Sequence, residues 1–291
     1  MVGGRPMRLL TSATERAAFQ RRVTPYLLGA EAVHCLLLGG QSESAGATGF
    51  AVEHRGEIVA VAGVTPPRNL ILSQVSSASA IPFLVDELRT LGINLPGVIG
   101  PEPHVARFAE AWQAATGQQV RRAMNERVYQ VVADAVRPPE GVEGTARLAT
   151  AADRALLLAW VERFVAESWP PEERSVVNAE KMVDTRFAPS AGWMLWLNAA
   201  GEPVSLAGYG SPTSNGIRLG PVYTPPEYRR RGYGSAVTAA ATRMLLARGR
   251  RFVFLFTDLT NPTSNHIYAA IEYEPVADFA VYTFSSRASG H

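Results

Sequence analysis

The apolar positions of this chain fall into short runs that recur in the same order twice. Phe50-Ala-Val-Glu-His-Arg-Gly-Glu-Ile-Val-Ala-Val-Ala-Gly63 reads as two strands about a Gly-centred turn, and Met194-Leu-Trp-Leu-Asn-Ala-Ala-Gly-Glu-Pro-Val-Ser-Leu-Ala-Gly208 repeats it, with the Gly-Glu and Ala-Gly pairs at one offset. Each hairpin is preceded by a helical stretch. Leu10-Thr-Ser-Ala-Thr-Glu15 and Leu148-Ala-Thr-Ala-Ala-Asp153 both open such a stretch with Ser/Thr and an acid in the first turn. Farther on, each half has a strand, a helix, a short apolar strand (Gly97-Val-Ile-Gly100; Arg251-Phe-Val-Phe-Leu-Phe256), another helix and a closing strand with Val128-Tyr129 or Val281-Tyr282. The pattern predicts a divergent repeat of an α+β unit, a mixed sheet with helices on its faces.

The break between the halves is expected at Arg137-Pro-Pro-Glu-Gly-Val-Glu-Gly144, which follows the strand-like Arg127-Val-Tyr-Gln-Val-Val132. This gives domains over 1–136 and 145–291 joined by a linker over 137–144. A length of 291 residues and 47% hydrophobic content suffice for two packed cores.

Charge removes several classes of function. With 28 basic and 26 acidic residues there is no large net field to draw the protein to nucleic acid or anionic lipid, so neither is expected as a partner. Lys181 is the only lysine, which makes arginine the default surface cation and most arginines uninformative. Cys35, the single cysteine, lies in an apolar run and is expected to pack as a small hydrophobe. His34, His54, His104, His266 and His291 show no paired helical spacing, so no metal is expected. Without a signal-like or membrane-spanning run, the expectation is a soluble cytoplasmic protein.

The chemistry concentrates in one segment. Val222-Tyr-Thr224 ends a strand, Pro225-Pro226-Glu227-Tyr228 breaks it, and Arg229-Arg230-Arg231-Gly232-Tyr233-Gly234 leads into a helical run from Ser235 to Arg248, closed by Gly249. Two glycines where a helix opens let several backbone N–H groups converge unobstructed on one point, and the helix dipole and three arginines favour an anion there. Such a point binds phosphate; the alternative reading is an ordinary turn beside a solvated arginine run.

Arg229-x-x-Gly232-x-Gly234 resembles the acyl-coenzyme A-binding motif, Gln/Arg-x-x-Gly-x-Gly/Ala, of the GNAT N-acetyltransferase superfamily. Downstream, Asn261-Pro-Thr-Ser-Asn265-His-Ile-Tyr268 looks like the superfamily's Asn-rich helix start with a Tyr after it. The resemblance implies two GNAT-like domains in tandem, each a mixed, mostly antiparallel twisted sheet flanked by helices. It implies that backbone amides of Arg230, Arg231, Gly232, Tyr233, Gly234 and Ser235 hold the pyrophosphate of acetyl-CoA, beside Arg229. Val222, Tyr223 and Thr224 would pair with the pantetheine arm, Asn261 and Asn265 would contact the coenzyme, and Tyr268 would sit by its sulfur. The residues themselves agree, since Asn261 is a good N-cap and Tyr268 lies two helical turns on along the same face.

A phenol is protonated at neutral pH and can donate to a departing thiolate, so Tyr268 is the leading catalytic candidate. An amine acceptor has to lose a proton, and Glu167, ahead of an aromatic-proline turn, is favoured as base over Glu173 and Asp258. The family's Gly after this Tyr is replaced by Glu272, which suggests that the turn closes differently. Trp160, Trp169, Trp193 and Trp196 are expected mainly as core.

At the matching place in the first half stands Ser73-Gln-Val-Ser-Ser-Ala-Ser-Ala-Ile-Pro82, with no Gly pair and no Arg run, and Val105-Ala-Arg-Phe-Ala-Glu-Ala-Trp-Gln-Ala114 lacks the Asn and Tyr. The first domain is therefore expected to hold no coenzyme. The resemblance implies an N-acetyltransferase acting from acetyl-CoA on an amine of a small molecule or peptide by direct attack in a ternary complex, with a non-catalytic acyl-CoA-binding regulator as the alternative.

Overall fold

The computed structural model of the protein describes residues 7–13, 15–40, 46–132, 135–169, 174 and 177–286. Along the chain the elements are β1 (Arg8–Thr11), α1 (Arg16–Leu28), α2 (Cys35–Gly40), β2 (Thr48–His54), β3 (Glu57–Val64), β4 (Leu70–Leu72), α3 (Ala80–Thr90), β5 (Gly97–Pro101), α4 (His104–Thr116) and β6 (Gln119–Val132). They continue with β7 (Thr145–Leu148), α5 (Arg154–Ser168), α6 (Ala179–Asp184), β8 (Gly192–Leu197), β9 (Pro203–Gly210), β10 (Gly216–Tyr223), α7 (Tyr233–Ala247), β11 (Phe252–Asp258), α8 (Pro262–Ala270) and β12 (Glu274–Ser285). The repeated strand-helix order is present in both halves, and the fold is α+β.

Two compact units result. The first comprises Met1–Val128, Asp258–Thr260 and Val276–His291, the second Tyr129–Thr257 and Asn261–Pro275. This partition differs from the boundaries expected from composition, for two physical reasons. The closing strand β12 pairs antiparallel with β5, from Phe279↔Pro101 to Thr283↔Gly97, and so completes the sheet of the first unit. The Pro/Gly segment 137–144, expected as a linker, is held by the second unit: the Trp196 indole donates to the Glu143 carbonyl at 3.2 Å, and Val142 packs beside Gly232.

In the first unit the strand order is β1-β2-β3-β4-β5-β12-β6, with β4 and β5 parallel and β1–β2, β2–β3 and β3–β4 antiparallel. Helix α4 buries Val105, Phe108, Ala109 and Trp112, one stripe at helical spacing, and ends at Gly117 in the left-handed conformation. Helix α3 buries Leu84, Val85 and Leu88 in the same core, while α1 covers a second cluster with Phe19, Val23 and Leu27.

In the second unit the order is β6-β11-β10-β9-β8-β7, with β10 and β11 parallel and the pairs β7–β8, β8–β9 and β9–β10 antiparallel. One cluster, with Leu157, Trp160, Val161, Trp193 and Leu206, lies under α5 and α6. The other, with Val237, Leu245, Leu255 and Tyr268, lies under α7 and α8. Alternation along β9 explains the two layers, since Leu206 joins the first and Ala207 the second. The single 3-10 turn Ala151–Asp153 that leads into α5 is fixed by a capping box between Thr150 and Asp153. Arg147 binds that carboxylate through two 2.8 Å bonds and, chiefly by that contact, holds it down at about 2.

Candidate active site in the second unit

The geometry of the site begins with a fault in a strand. Along β10 the antiparallel pairing with β9 shifts register between Leu219 and Val222, at Gly220 (φ 135°) and Pro221, which has no N–H to donate. On its other edge β10 pairs with β11 only from Gly216↔Phe252 to Arg218↔Phe254, although β10 continues to Tyr223 and β11 to Asp258. The two strands therefore part beyond Arg218. The edge of β10 that carries Val222 and Tyr223 is open to an extended ligand, while β9 holds its other edge through Val222↔Ala207 and Tyr223↔Leu206.

Behind this edge the chain turns into α7. Arg230 (φ 62°) and Gly232 (φ 78°) take left-handed conformations within an otherwise right-handed or extended loop, which aims successive N–H groups to one side. Among the described residues, the backbone N–H groups of Arg230, Arg231, Gly232, Tyr233, Gly234 and Ser235 find no acceptor, and the first amide to do so is that of Ala236, bonded to Gly232 O at 2.9 Å. Six consecutive free donors at the start of a 15-residue helix fit the pyrophosphate of a coenzyme. The two glycines differ in role. A Cβ on Gly232 would lie 2.6 Å from Val142 Cγ2, whereas one on Gly234 would meet Thr224 Oγ1 at 3.4 Å and Ile267 Cδ1 at 3.6 Å, ordinary contacts. The protein itself needs Gly232, while at Gly234 the free space lies on the ligand's side.

Arg229 does not point into this nest. Its Nε donates to Thr224 O at 2.9 Å, its Nη2 contacts Glu167 Oε2 at 2.6 Å, and its guanidinium lies 5.7 Å from the Tyr223 ring centre. The Tyr223 hydroxyl donates to Glu167 Oε1 at 2.8 Å, and burial first, then this bond, pushes the phenol up to about 12. Ser205, buried on β9, ties the strand end down through Tyr223 O at 3.1 Å and Thr224 Oγ1 at 2.8 Å. Glu167 thus holds the end of β10 and the start of the loop together.

Across the cleft, α8 carries Asn265 and Tyr268. The Asn265 amide donates to Asn261 O at 2.9 Å, and its Oδ1 lies 3.5 Å from the Tyr129 hydroxyl. Tyr268 is buried between Tyr129 and Tyr273, with ring centres at 6.4 and 6.0 Å. Its hydroxyl makes no hydrogen bond among the described residues, and burial pushes it up to about 12, so it keeps its proton at neutral pH. The turn after α8 closes in the ordinary way, against the expectation from sequence. Tyr273 N bonds Tyr268 O at 2.9 Å and Glu272 N bonds Ala269 O at 3.1 Å, with Glu272 itself left-handed at φ 69°.

The structure therefore brings Val222, Tyr223, Thr224, the loop 229–235 and Glu167 together at the parted strands. Of the other acids considered, Asp258 accepts from Thr260 N and Oγ1 at 2.8 Å, and Glu173 lies outside the described residues. Trp160 and Trp193 are core, as expected, and Cys35 is buried. Tyr129, Val142, Ser205 and Arg186 carried no signal in the sequence. Arg186 and Arg218 likewise have no carboxylate partner among the described residues.

Residues 154–273 match the model of the Acetyltransferase (GNAT) family, a stretch that stops just short of β12. This segment is a GNAT acetyltransferase domain, and the whole chain has the fold of tandem GNAT proteins. Solved structures it resembles include a GCN5-related N-acetyltransferase from Sphaerobacter thermophilus (17% identity, TM-score 0.60, 95% of each chain) and one from Kribbella flavida (16%, 0.59, 90% of this chain and 95% of that). A tandem GNAT protein from the clavulanic acid biosynthesis pathway superposes over 98% of this chain and 100% of its own, at 12% identity and a TM-score of 0.57. Among curated protein sequences there is no significant match. No helix among the described residues is long and apolar enough to cross a membrane, and no group of three or more potential metal ligands occurs among them.

Proposed function

We propose that the second unit binds one acetyl-CoA and transfers its acetyl group to an amine in a ternary complex. The observation that carries this reading is the run of six unbonded backbone N–H groups beside an open strand edge. Arg230, Arg231, Gly232, Tyr233, Gly234 and Ser235 take the pyrophosphate, Arg229 adds charge nearby, and the strand at Val222, Tyr223 and Thr224 pairs with the pantetheine amides. Backbone N–H groups of that strand polarise the thioester oxygen where negative charge grows as the amine attacks. The bond from the acyl carbon to sulfur then breaks, and Tyr268, protonated at neutral pH, gives its proton to the leaving thiolate. Asn261 and Asn265 orient the coenzyme on α8. Glu167 is the acid best placed to take the ammonium proton. Both of its oxygens are now engaged, so this role requires Arg229 to turn from it toward the phosphates.

The first unit, in this reading, binds no coenzyme. Calorimetric titration with acetyl-CoA tests both statements. One site per chain is expected, abolished by Gly234→Glu, whose side chain enters the space the phosphates need. No binding would overturn the acyltransferase reading, and two sites would overturn the account of the first unit. Enzymatic turnover in a free-thiol assay separates this reading from a regulator that only binds acyl-CoA.

A further inference from the structure

On the α5–α6 face of the second unit, Arg186 binds the carbonyl of Gly220, two residues past Arg218 on β10, and neither arginine meets a counter-charge among the described residues. Arg186 follows α6 and sits over Trp193, its guanidinium carbon 5.1 Å from the ring centre. Its Nη1 donates to Met182 O at 2.8 Å and its Nη2 to Gly220 O at 2.9 Å, while Nε is buried with no partner. The slot exists because β9 has a glycine there. A Cβ on Gly208 would come within 3.0 Å of Arg186 Nε and 2.8 Å of the Trp193 ring. Arg218, two residues before Gly220 on β10, pairs with Gly210 and reaches only Ser211 Oγ, at 3.3 Å. Neither arginine has a carboxylate partner among the described residues.

A structural brace explains half of this. Two carbonyl bonds and an indole are good reasons for one arginine to hold the bulge at Gly220. They give no reason for a second cation beside the first, where each destabilises the other. Burial, and then the charge of Arg218, draw Arg186 down to about 9, which still leaves it charged at neutral pH. A poorly solvated charge is costly unless an opposite charge meets it, and the planar guanidinium fork is suited to carboxylate and phosphate.

We propose that Arg186 and Arg218 form an anion-recognition subsite, and that the acyl acceptor is a small amine carrying a carboxylate or a phosphate. Gly220, whose carbonyl Arg186 holds, is two residues from Val222, where the acetyl-transfer reading places the thioester. At the rise of an extended strand that is about 7 Å or less. The anion and the reacting nitrogen are therefore a few bonds apart in one compact molecule. The amine part of this statement rests on the acetyl-transfer reading. The anion part does not.

The test uses the full chain in two arms. In the first, inorganic phosphate and succinate are titrated calorimetrically without coenzyme against Gly234→Glu, which blocks the nest at 230–235, and against the same chain with Arg218→Gln or Arg218→Lys added, each checked for unaltered thermal unfolding. Saturable binding is expected, weakened about tenfold or more in Arg218→Gln and partly restored in Arg218→Lys. In the second, primary amines are offered with acetyl-CoA in matched pairs, carboxylate against carboxamide and phosphate monoester against alcohol. The anionic member is expected to have the lower KM by about tenfold, a ratio that falls toward unity in Arg218→Gln. Absence of saturable anion binding, or binding that Arg218→Gln leaves unchanged, overturns the subsite. Anion binding without acetyl-CoA binding by the wild type overturns the acetyl-transfer reading and leaves the subsite standing, so the two failures are distinguishable.

Discussion

The loop after β4 and the loop after β10 occupy the same place in the two repeats and use their backbones in opposite ways. In the second unit the amides of Arg230 through Ser235 are free and the strand edge before them is open. In the first, Ser73 N donates to Val61 O at 2.8 Å, Ser76 N to Val59 O at 2.9 Å and Ala80 N to Ser77 O at 3.0 Å. The edge itself is closed by side chains. Gln74 N donates to His34 Nε2 at 3.2 Å, and Gln74 O accepts from the Tyr26 hydroxyl at 2.6 Å. At the strand edge, therefore, one fold makes a ligand cradle or a covered strand according to whether side chains satisfy its donors, while the amides of Ser77, Ala78 and Ser79 ahead of α3 find no acceptor among the described residues. The absence of glycines at 73–82 is only part of the reason that the first unit is read as silent; Tyr26 and His34 also occupy the backbone donor and acceptor of Gln74 just past β4.

The comparison breaks most sharply at Tyr268, which has no counterpart in α4. Tyr268→Phe keeps the ring among Tyr129 and Tyr273 but removes the proton, and should lower kcat by about 100-fold, the smaller end of general-acid effects, with little change in the acetyl-CoA Kd. A variant with undiminished kcat would remove Tyr268 from the mechanism. Next in size is the nest itself. Gly232→Ala forces a side chain into a left-handed position and against Val142, and should cost about 2 kcal/mol in stability. Gly234→Ala meets only ordinary contacts in a helix and should be neutral or stabilising by up to about 1 kcal/mol. Denaturant unfolding of the two variants checks this, and equal losses would mean that the glycines are not distinct in role.

What the sequence made legible was local. The nest could be read because Gly232 and Gly234 flank a helix start, and the hairpins because their turns sit at one offset. The helices α5 and α7 could be read from their punctuation, Thr150 and Asp153 at the start of one and Gly249 at the end of the other. What it hid was non-local. Nothing near Val281-Tyr282 tells that β12 pairs with β5, and nothing near Tyr129 tells that its ring meets Tyr268. The Pro/Gly run at 137–144 looks like a linker by composition, yet Val142 and Glu143 are held by contacts whose partners lie about 90 and 53 residues away. Arg186 and Arg218 were invisible because a chain whose cations are nearly all arginine gives no single one a signal.

A smaller effect sharpens the contrast from the sealed side. Burial, opposed by the Leu27 carbonyl and aided by the charge of His104, holds His34 below its ordinary value. With Nδ1 at 2.9 Å from Leu27 O, Nδ1 carries the proton and Nε2 is the acceptor for Gln74 N. Protonation would set two N–H groups against each other. The stability contributed by neutral His34 is complete above its unfolded value of about 6.5 and is lost as pH falls from there toward the depressed folded value. Thermal unfolding followed from about pH 7.5 to about pH 5 should show a falling Tm that His34→Gln flattens. An unchanged slope in that variant would place the acid sensitivity elsewhere.

The smallest expected effect concerns the helix end that supports the cradle. Glu272 closes α8 in a left-handed conformation at φ 69°, making both backbone bonds that glycine makes in such a turn. A non-glycine residue there costs about 1–2 kcal/mol in backbone strain, and the greater freedom of glycine in the unfolded chain returns part of that. The Glu272 side chain offers little in exchange, since its 3.6 Å approach to Arg137 is between two exposed groups. Glu272→Gly should therefore raise stability by about 0.5–1 kcal/mol and leave acetyl-CoA affinity unchanged, because Tyr268 already sits where the closed turn puts it. A loss of stability on that substitution would mean that the Arg137 contact matters, and with it that residues 137–144 help to brace α8 as well as the loop at Gly232.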